Sequence, residues 1–83
     1  FSYNRGLGNA GVTAIITSIP KSIQEIGLVG SGISDTGGFE SLNWIKELPK
    51  LTMICMEQNN FSQKLRVEFQ KFSSENLHIL VVY

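Results

Sequence analysis

Three glycines near the start of this 83-residue chain have a spacing that could support chemistry. Gly6, Gly8 and Gly11 form G-x-G-x-x-G, the spacing in which a tight turn and a helix N-terminus hold the pyrophosphate of a dinucleotide. That site requires a buried strand directly before the first glycine, and residues 1–5 are polar apart from two aromatic side chains. The spacing therefore predicts a turn followed by a helix, and we expect no cofactor.

Histidine and cysteine offer little further chemistry. His78 is the single histidine and Cys55 the single cysteine, so neither a zinc ligand set nor a disulfide framework can be assembled from the sequence. Proton transfer by His78 would need a partner within hydrogen-bond reach, and Glu25 or Glu57 on neighbouring strands is only a geometric possibility. We therefore predict that the chain is not an enzyme and binds no metal.

The elements that would position these residues follow from a repeating apolar pattern. Apolar residues recur at offsets 0, 3 and 5, and at 10 where the copy is long enough. The copies are Ile23, Ile26, Leu28 and Ile33; then Leu51, Ile54, Met56 and Phe61; then Leu77, Leu80 and Val82. Successive copies begin 28 and 26 residues apart, at Ile23, Leu51 and Leu77, and such periods are typical of a solenoid. Phe1 and Asn4 fit the third apolar position and the turn position of an earlier copy.

Each copy changes periodicity halfway. Residues 23–29, 51–57 and 77–83 alternate as short strands do, whereas the residues that follow repeat every three or four positions, as in a helix with one buried stripe. The helical stripes are Val12, Ile15, Ile16 and Ile19; Phe39, Leu42, Ile45 and Leu48; and Leu65, Phe69 and Phe72. We expect the helix N-caps at Asn9, at Ser34 or Asp35, and at Ser62.

This pattern resembles the ribonuclease-inhibitor-like class of leucine-rich repeats over essentially all 83 residues. The resemblance implies an α/β solenoid, a horseshoe segment with parallel strands on the concave face and helices on the convex face. Ser31 departs from the usual Asn or Cys of the turn, Leu65 replaces the glycine found at Gly11 and Gly37, and Gly38 looks inserted. The same class occurs in the sensor regions of NOD-like receptors and in bacterial repeat proteins.

The domain organisation expected from the pattern is one segment of repeats, cut from a longer array. Its parts are a partial repeat at 1–20, repeats at 21–49 and 50–75, and a partial repeat at 76–83. Residues 77–83 are apolar on both faces, as in an internal strand, so self-association through this terminal strand is also expected.

Charge and hydropathy exclude two classes of partner. Seven basic and seven acidic residues balance, so no basic patch predicts a nucleic-acid partner, and no apolar run approaches the roughly 18 residues of a membrane span. The single cysteine favours an intracellular location.

A protein or peptide ligand is the remaining prediction, bound by the concave sheet. Stacked repeats bring equivalent residues into rows about 4.8 Å apart. The predicted rows are Glu25, Met53 and Ile79; Gly27, Cys55 and Val81; and Val29, Glu57 and Tyr83. Such an apolar face is typical of a binding site, with Met53 and Tyr83 as its anchors. Two alternatives stay open: a structural spacer in a larger protein, and the targeting repeats of an enzyme, such as a bacterial effector, with its catalytic domain elsewhere.

Overall fold

A computed structural model describes residues 6–83, which form three helices and one three-stranded parallel sheet. The helices are α1 (Gly8–Ser18), α2 (Asp35–Ile45) and α3 (Gln63–Glu75), and the strands are β1 (Glu25–Gly27), β2 (Met53–Cys55) and β3 (Leu80–Val82). Phe1 and Asn4, which the sequence placed in an earlier copy, lie outside the described residues.

The strands lie side by side in chain order, β1-β2-β3, and a helix connects each strand to the next. Parallel neighbours need such crossovers, because the chain must return to the same end of the sheet before the next strand begins. The predicted α/β class, with a helix after β1 and another after β2, is therefore confirmed. None of the helices within residues 6–83 is long and apolar enough to cross a membrane.

The core lies between the helices and one face of the sheet. Alternate strand residues are buried there: Ile26 and Leu28 in and after β1, and Ile54 and Met56 in and after β2. The helices contribute Val12 and Ile15; Leu42, Trp44 and Ile45; and Leu65, Phe69 and Phe72. The predicted helical stripes thus face the sheet, as their spacing of three and four residues requires.

The register of β3 differs from the predicted one by one residue. Val81, not Leu80, pairs with Ile54, and Leu80 pairs with Met53. Equivalent positions Ile26, Ile54 and Val81 are therefore 28 and then 27 residues apart, rather than 28 and 26. Leu77, predicted to be a core residue, is 88% exposed, because it lies in the turn after α3.

A prediction about the helix caps is also wrong. Asn9 does not cap α1, because the helix begins at Gly8 and its N-cap position is Leu7, two residues before Asn9. Its side-chain oxygen instead accepts from the backbone N–H of Ser34 at 3.2 Å and of Gly37 at 2.9 Å, at the start of α2. A Cβ on Gly37 would overlap this oxygen, so glycine is needed where the amide approaches.

The start of α3 is capped both locally and from the preceding helix. Ser62 Oγ accepts from the Leu65 N–H at 3.3 Å, which confirms Ser62 as the predicted N-cap. Asp35, in the first turn of α2, accepts from the Ser62 N–H at 2.8 Å and from the Ser62 hydroxyl. The starts of α2 and α3 are therefore each tied to the helix before them in the chain.

Acid should weaken the contact between Asp35 and Ser62. Hydrogen bonds from the Ser62 hydroxyl and N–H, with a smaller contribution from Lys64, lower the pKa of Asp35 below its ordinary 3.8. Because this pKa is depressed in the folded state, its stabilisation is present above pH 3.8 and is lost as pH falls through the folded value.

We therefore expect the urea midpoint of unfolding to fall less between pH 7 and pH 2.5 for Asp35→Asn than for the native chain. Glu47→Gln, which removes a carboxylate from an exposed position after α2, is the charge-matched control and should fall as much as the native chain. Equal acid sensitivity in Asp35→Asn and the native chain would contradict the assignment.

Candidate functional site

The sheet face that points away from the helices brings together equivalent positions of all three strands. The observed pairing places its residues in three rows, which we call the open sheet face: Glu25, Met53 and Leu80; Gly27, Cys55 and Val82; and Val29 with Glu57. The third row continues the register because the Gly30 N–H donates to the Glu57 carbonyl at 2.9 Å. Three short strands therefore present one continuous surface.

Five of the predicted ligand-binding residues lie together on this face. They are Glu25, Val29, Met53, Cys55 and Glu57, at the positions that the alternation of β1 and β2 requires. Their placement followed from the buried residues Ile26, Leu28, Ile54 and Met56, since residues adjacent to a buried strand residue point to the other side of the sheet.

The prediction was wrong for the other three residues, which lie on the core side of the sheet and not on its open face: Ile79, Val81 and Tyr83. Ile79 is only 7% exposed, and Val81 and Tyr83 pack against the core. A shift of one residue exchanges the two faces of a strand. Tyr83 is held on the core side by stacking on Phe69, with ring centroids 6.0 Å apart and an interplanar angle of 16°.

The same shift brings Leu80 and Val82 onto the open sheet face, where the sequence reasoning missed them. Leu80 is 62% exposed, beside the partly exposed Met53, and Val82 lies beside Cys55. No local sequence signal distinguishes the two registers; in the structure the Asn76 carbonyl accepts from the Ile79 N–H at 2.9 Å in the turn before β3. The apolar centre of the face is thus Met53, Leu80, Cys55 and Val82.

Two carboxylates flank this apolar centre. Glu25 and Glu57 are exposed, and neither forms an ion pair with a residue of the described chain. They are four residues apart along the strands and one strand apart across them, which places their Cα atoms about 14 Å from each other. The Cys55 thiol lies 4.0 Å from a Glu57 carboxylate oxygen, so Glu57 extends over the face rather than away from it.

The corrected register distinguishes two substitutions in adjacent parts of one strand. We expect Leu80→Ser to change the free energy of unfolding by less than about 0.5 kcal/mol, because the side chain is mostly in water. Tyr83→Ser should cost about 1–3 kcal/mol, because it removes an aromatic side chain packed on Phe69. Urea unfolding of both variants checks this, and a larger cost for Leu80→Ser would favour the register predicted from the sequence.

The glycine group and His78, which first suggested chemistry, form no reactive site in the part of the chain that the structure describes. The N–H of Gly8, at the turn of the glycine group, donates to the Ser31 carbonyl at 3.0 Å, and Gly11 lies inside α1. His78 is exposed in the turn before β3. Among residues 6–83 no group of three His, Cys, Asp or Glu side chains is arranged to hold a metal ion.

On the helical side, a groove between the end of α2 and α3 is lined by charged side chains of both signs over Phe72. Its charged residues are Lys46, Glu68, Lys71 and Glu75. Opposite charges mixed in this way select no class of ligand, so the open sheet face remains the candidate site.

Comparison with protein-family models, with curated proteins and with solved structures finds no significant match to this chain.

Proposed function

We propose that the chain is a segment of leucine-rich repeats and that its open sheet face binds a protein or peptide without catalysing a reaction. The repeat assignment is supported by the strand order β1-β2-β3, by a helix after each of the first two strands, and by equivalent positions 28 and 27 residues apart. A stack of strand–helix units buries one face of every strand and leaves the other face as an extended surface.

Hydrogen bonds between units support the same assignment. The Asn59 side chain, in the turn after β2, accepts from the N–H groups of Ser31 and Ile33 in the turn after β1. Asn9 and Asp35 make the corresponding connections between helix starts. Contacts that recur from one unit to the next are what a solenoid requires, because each unit contacts only its neighbours.

The observation that carries the binding function is the apolar centre of the open sheet face. Parallel sheets are nearly always covered on both faces, because their strands are apolar on both sides. Here the helices cover one face, whereas Met53, Leu80 and Val82 on the other remain in contact with water. A partner that covers these side chains would gain the free energy of removing apolar surface from water.

Selection from a library of displayed random nine-residue peptides tests this function on the full chain. We expect peptides to be enriched, and the double variant Met53→Ser, Leu80→Ser to bind them about tenfold more weakly or worse, since apolar anchors carry most of an interface's affinity. Val67→Ser is the matched control, because Val67 is 47% exposed but lies on α3. Failure to enrich any peptide, or equal binding by the double variant and the native chain, would favour the structural spacer.

A further inference from the structure

We infer that the partner is an extended segment with two basic residues, four positions apart, on either side of an apolar residue. The proposal rests on the function proposed above and adds the chemistry of the ligand. It follows from the composition and the spacing of the open sheet face.

Charge on the open sheet face has one sign. Glu25 and Glu57 are its only charged residues within the described chain, although basic and acidic residues balance over the whole sequence. Neither carboxylate has an ion-pair partner among residues 6–83. A cationic group from a partner would meet a carboxylate at each of these two positions, and a partner with acidic groups there would be repelled.

The spacing of the two carboxylates selects the conformation of the partner. Their Cα atoms are about 14 Å apart, and residues i and i+4 of an extended chain are about 13 Å apart and point to the same side. Residue i+2 then lies over the middle row, between Gly27 and Cys55. Residues i and i+4 of a helix are only about 6 Å apart along its axis and would reach one carboxylate at a time.

The recognised pattern is therefore basic–x–apolar–x–basic in an extended chain. Its two cationic ends reach Glu25 and Glu57, and its middle residue lies against Cys55, at the β1 side of the apolar centre. Exposed ion pairs add modest affinity but strong selectivity, so the apolar contact supplies most of the binding and the carboxylates choose among apolar ligands.

The peptides enriched on the native chain test the pattern directly. We expect Lys or Arg at both i and i+4 around an apolar residue at i+2. A synthetic nine-residue peptide with Lys–Thr–Leu–Thr–Lys at its centre should then bind by fluorescence anisotropy, and an isomer with adjacent lysines should bind more weakly. Raising NaCl from 50 to 500 mM should weaken binding of the first peptide, because salt screens exposed charges.

Removal of single carboxylates locates the two cationic ends. Glu25→Gln and Glu57→Gln should each weaken binding of the synthetic peptide about two- to fivefold. Glu47→Gln, which removes the same charge from an exposed position after α2, should leave it unchanged. All three side chains are exposed, so the fold should be kept, and circular dichroism checks that it is.

The outcomes separate this inference from the function on which it rests. Enriched peptides that lack paired basic residues, or that bind equally well after both Glu→Gln changes, would overturn the inference. The binding function would survive that result if Met53→Ser, Leu80→Ser still abolished capture. Peptide binding that is unchanged in the double variant Met53→Ser, Leu80→Ser would overturn both the inference and the binding function.

Discussion

Replacement of Phe69 by alanine should lower the free energy of unfolding by about 3–5 kcal/mol. Phe69 is fully buried, and its ring lies between Phe61, at a centroid distance of 5.7 Å, and Tyr83, at 6.0 Å. Truncation of a buried phenylalanine costs about 3–5 kcal/mol, through lost transfer free energy and the cavity that remains. A small domain has about 5–15 kcal/mol of stability in total, so the loss is a large fraction of it.

The measurement is urea unfolding followed by far-ultraviolet circular dichroism, with Val67→Ala as the control on the same helix. Val67 is 47% exposed and its truncation should cost less than about 0.5 kcal/mol. A midpoint for Phe69→Ala that coincides with that of Val67→Ala would show that α3 does not pack through the three aromatic rings.

The position of Phe69 could be predicted from the sequence, whereas its partner Tyr83 could not. Steps of three and four residues identify the buried stripe of α3 without tertiary information, because helix geometry alone places those residues on one side. In residues 77–83 the apolar residues occupy both faces, so alternation gives two registers of equal quality. Stacking of Tyr83 on Phe69 distinguishes them, and that contact depends on where the helix lies over the sheet.

The ambiguity of the β3 register also explains which parts of the candidate site could be predicted. In β1 and β2, Glu25 adjoins the buried Ile26, and Met53 and Cys55 adjoin the buried Ile54, so the alternation assigns their face without ambiguity. In β3 the neighbours of Leu80 are as apolar as Leu80 itself. The placement of Leu80 on the open sheet face therefore depends on a register that only the packed structure determines.

Helix capping shows a second limit of local reasoning. Ser62 and the N–H group that it caps are three residues apart, so the sequence signal is local and was found. Asn9 and the N–H group of Gly37 are 28 residues apart, and Asp35 and Ser62 are 27 apart. A cap supplied by a neighbouring unit leaves no local pattern, because the distance between its partners is the repeat length.

Asn59→Ala should produce the second large loss of stability. The Asn59 side chain accepts from the N–H groups of Ser31 at 3.0 Å and Ile33 at 3.1 Å, and it donates to the carbonyls of Leu28 at 2.7 Å and Met56 at 2.9 Å. Those four residues are fully buried. Loss of the amide removes these partners from four main-chain groups, and a buried group without a partner costs about 1–3 kcal/mol.

We expect a total cost of about 2–4 kcal/mol for this substitution, because Asn59 is partly exposed and water can reach some of the groups it leaves. The adjacent Asn60 is the matched control. It is exposed, and its contact with the preceding unit is a main-chain hydrogen bond to the Ile33 carbonyl at 2.9 Å, which alanine preserves. Asn60→Ala should therefore change stability by less than about 0.5 kcal/mol.

Hydrogen exchange of both variants adds a readout that global stability lacks. In Asn59→Ala the amides of Ser31 and Ile33 lose their acceptor and should exchange faster than in Asn60→Ala, even at conditions where both proteins are folded. Equal stability and equal exchange in the two variants would mean that the turn after β1 is held by other contacts. Because Asn59 contacts the turns after both β1 and β2, its amide couples two successive units, and faster exchange confined to residues 31–33 would measure that coupling directly.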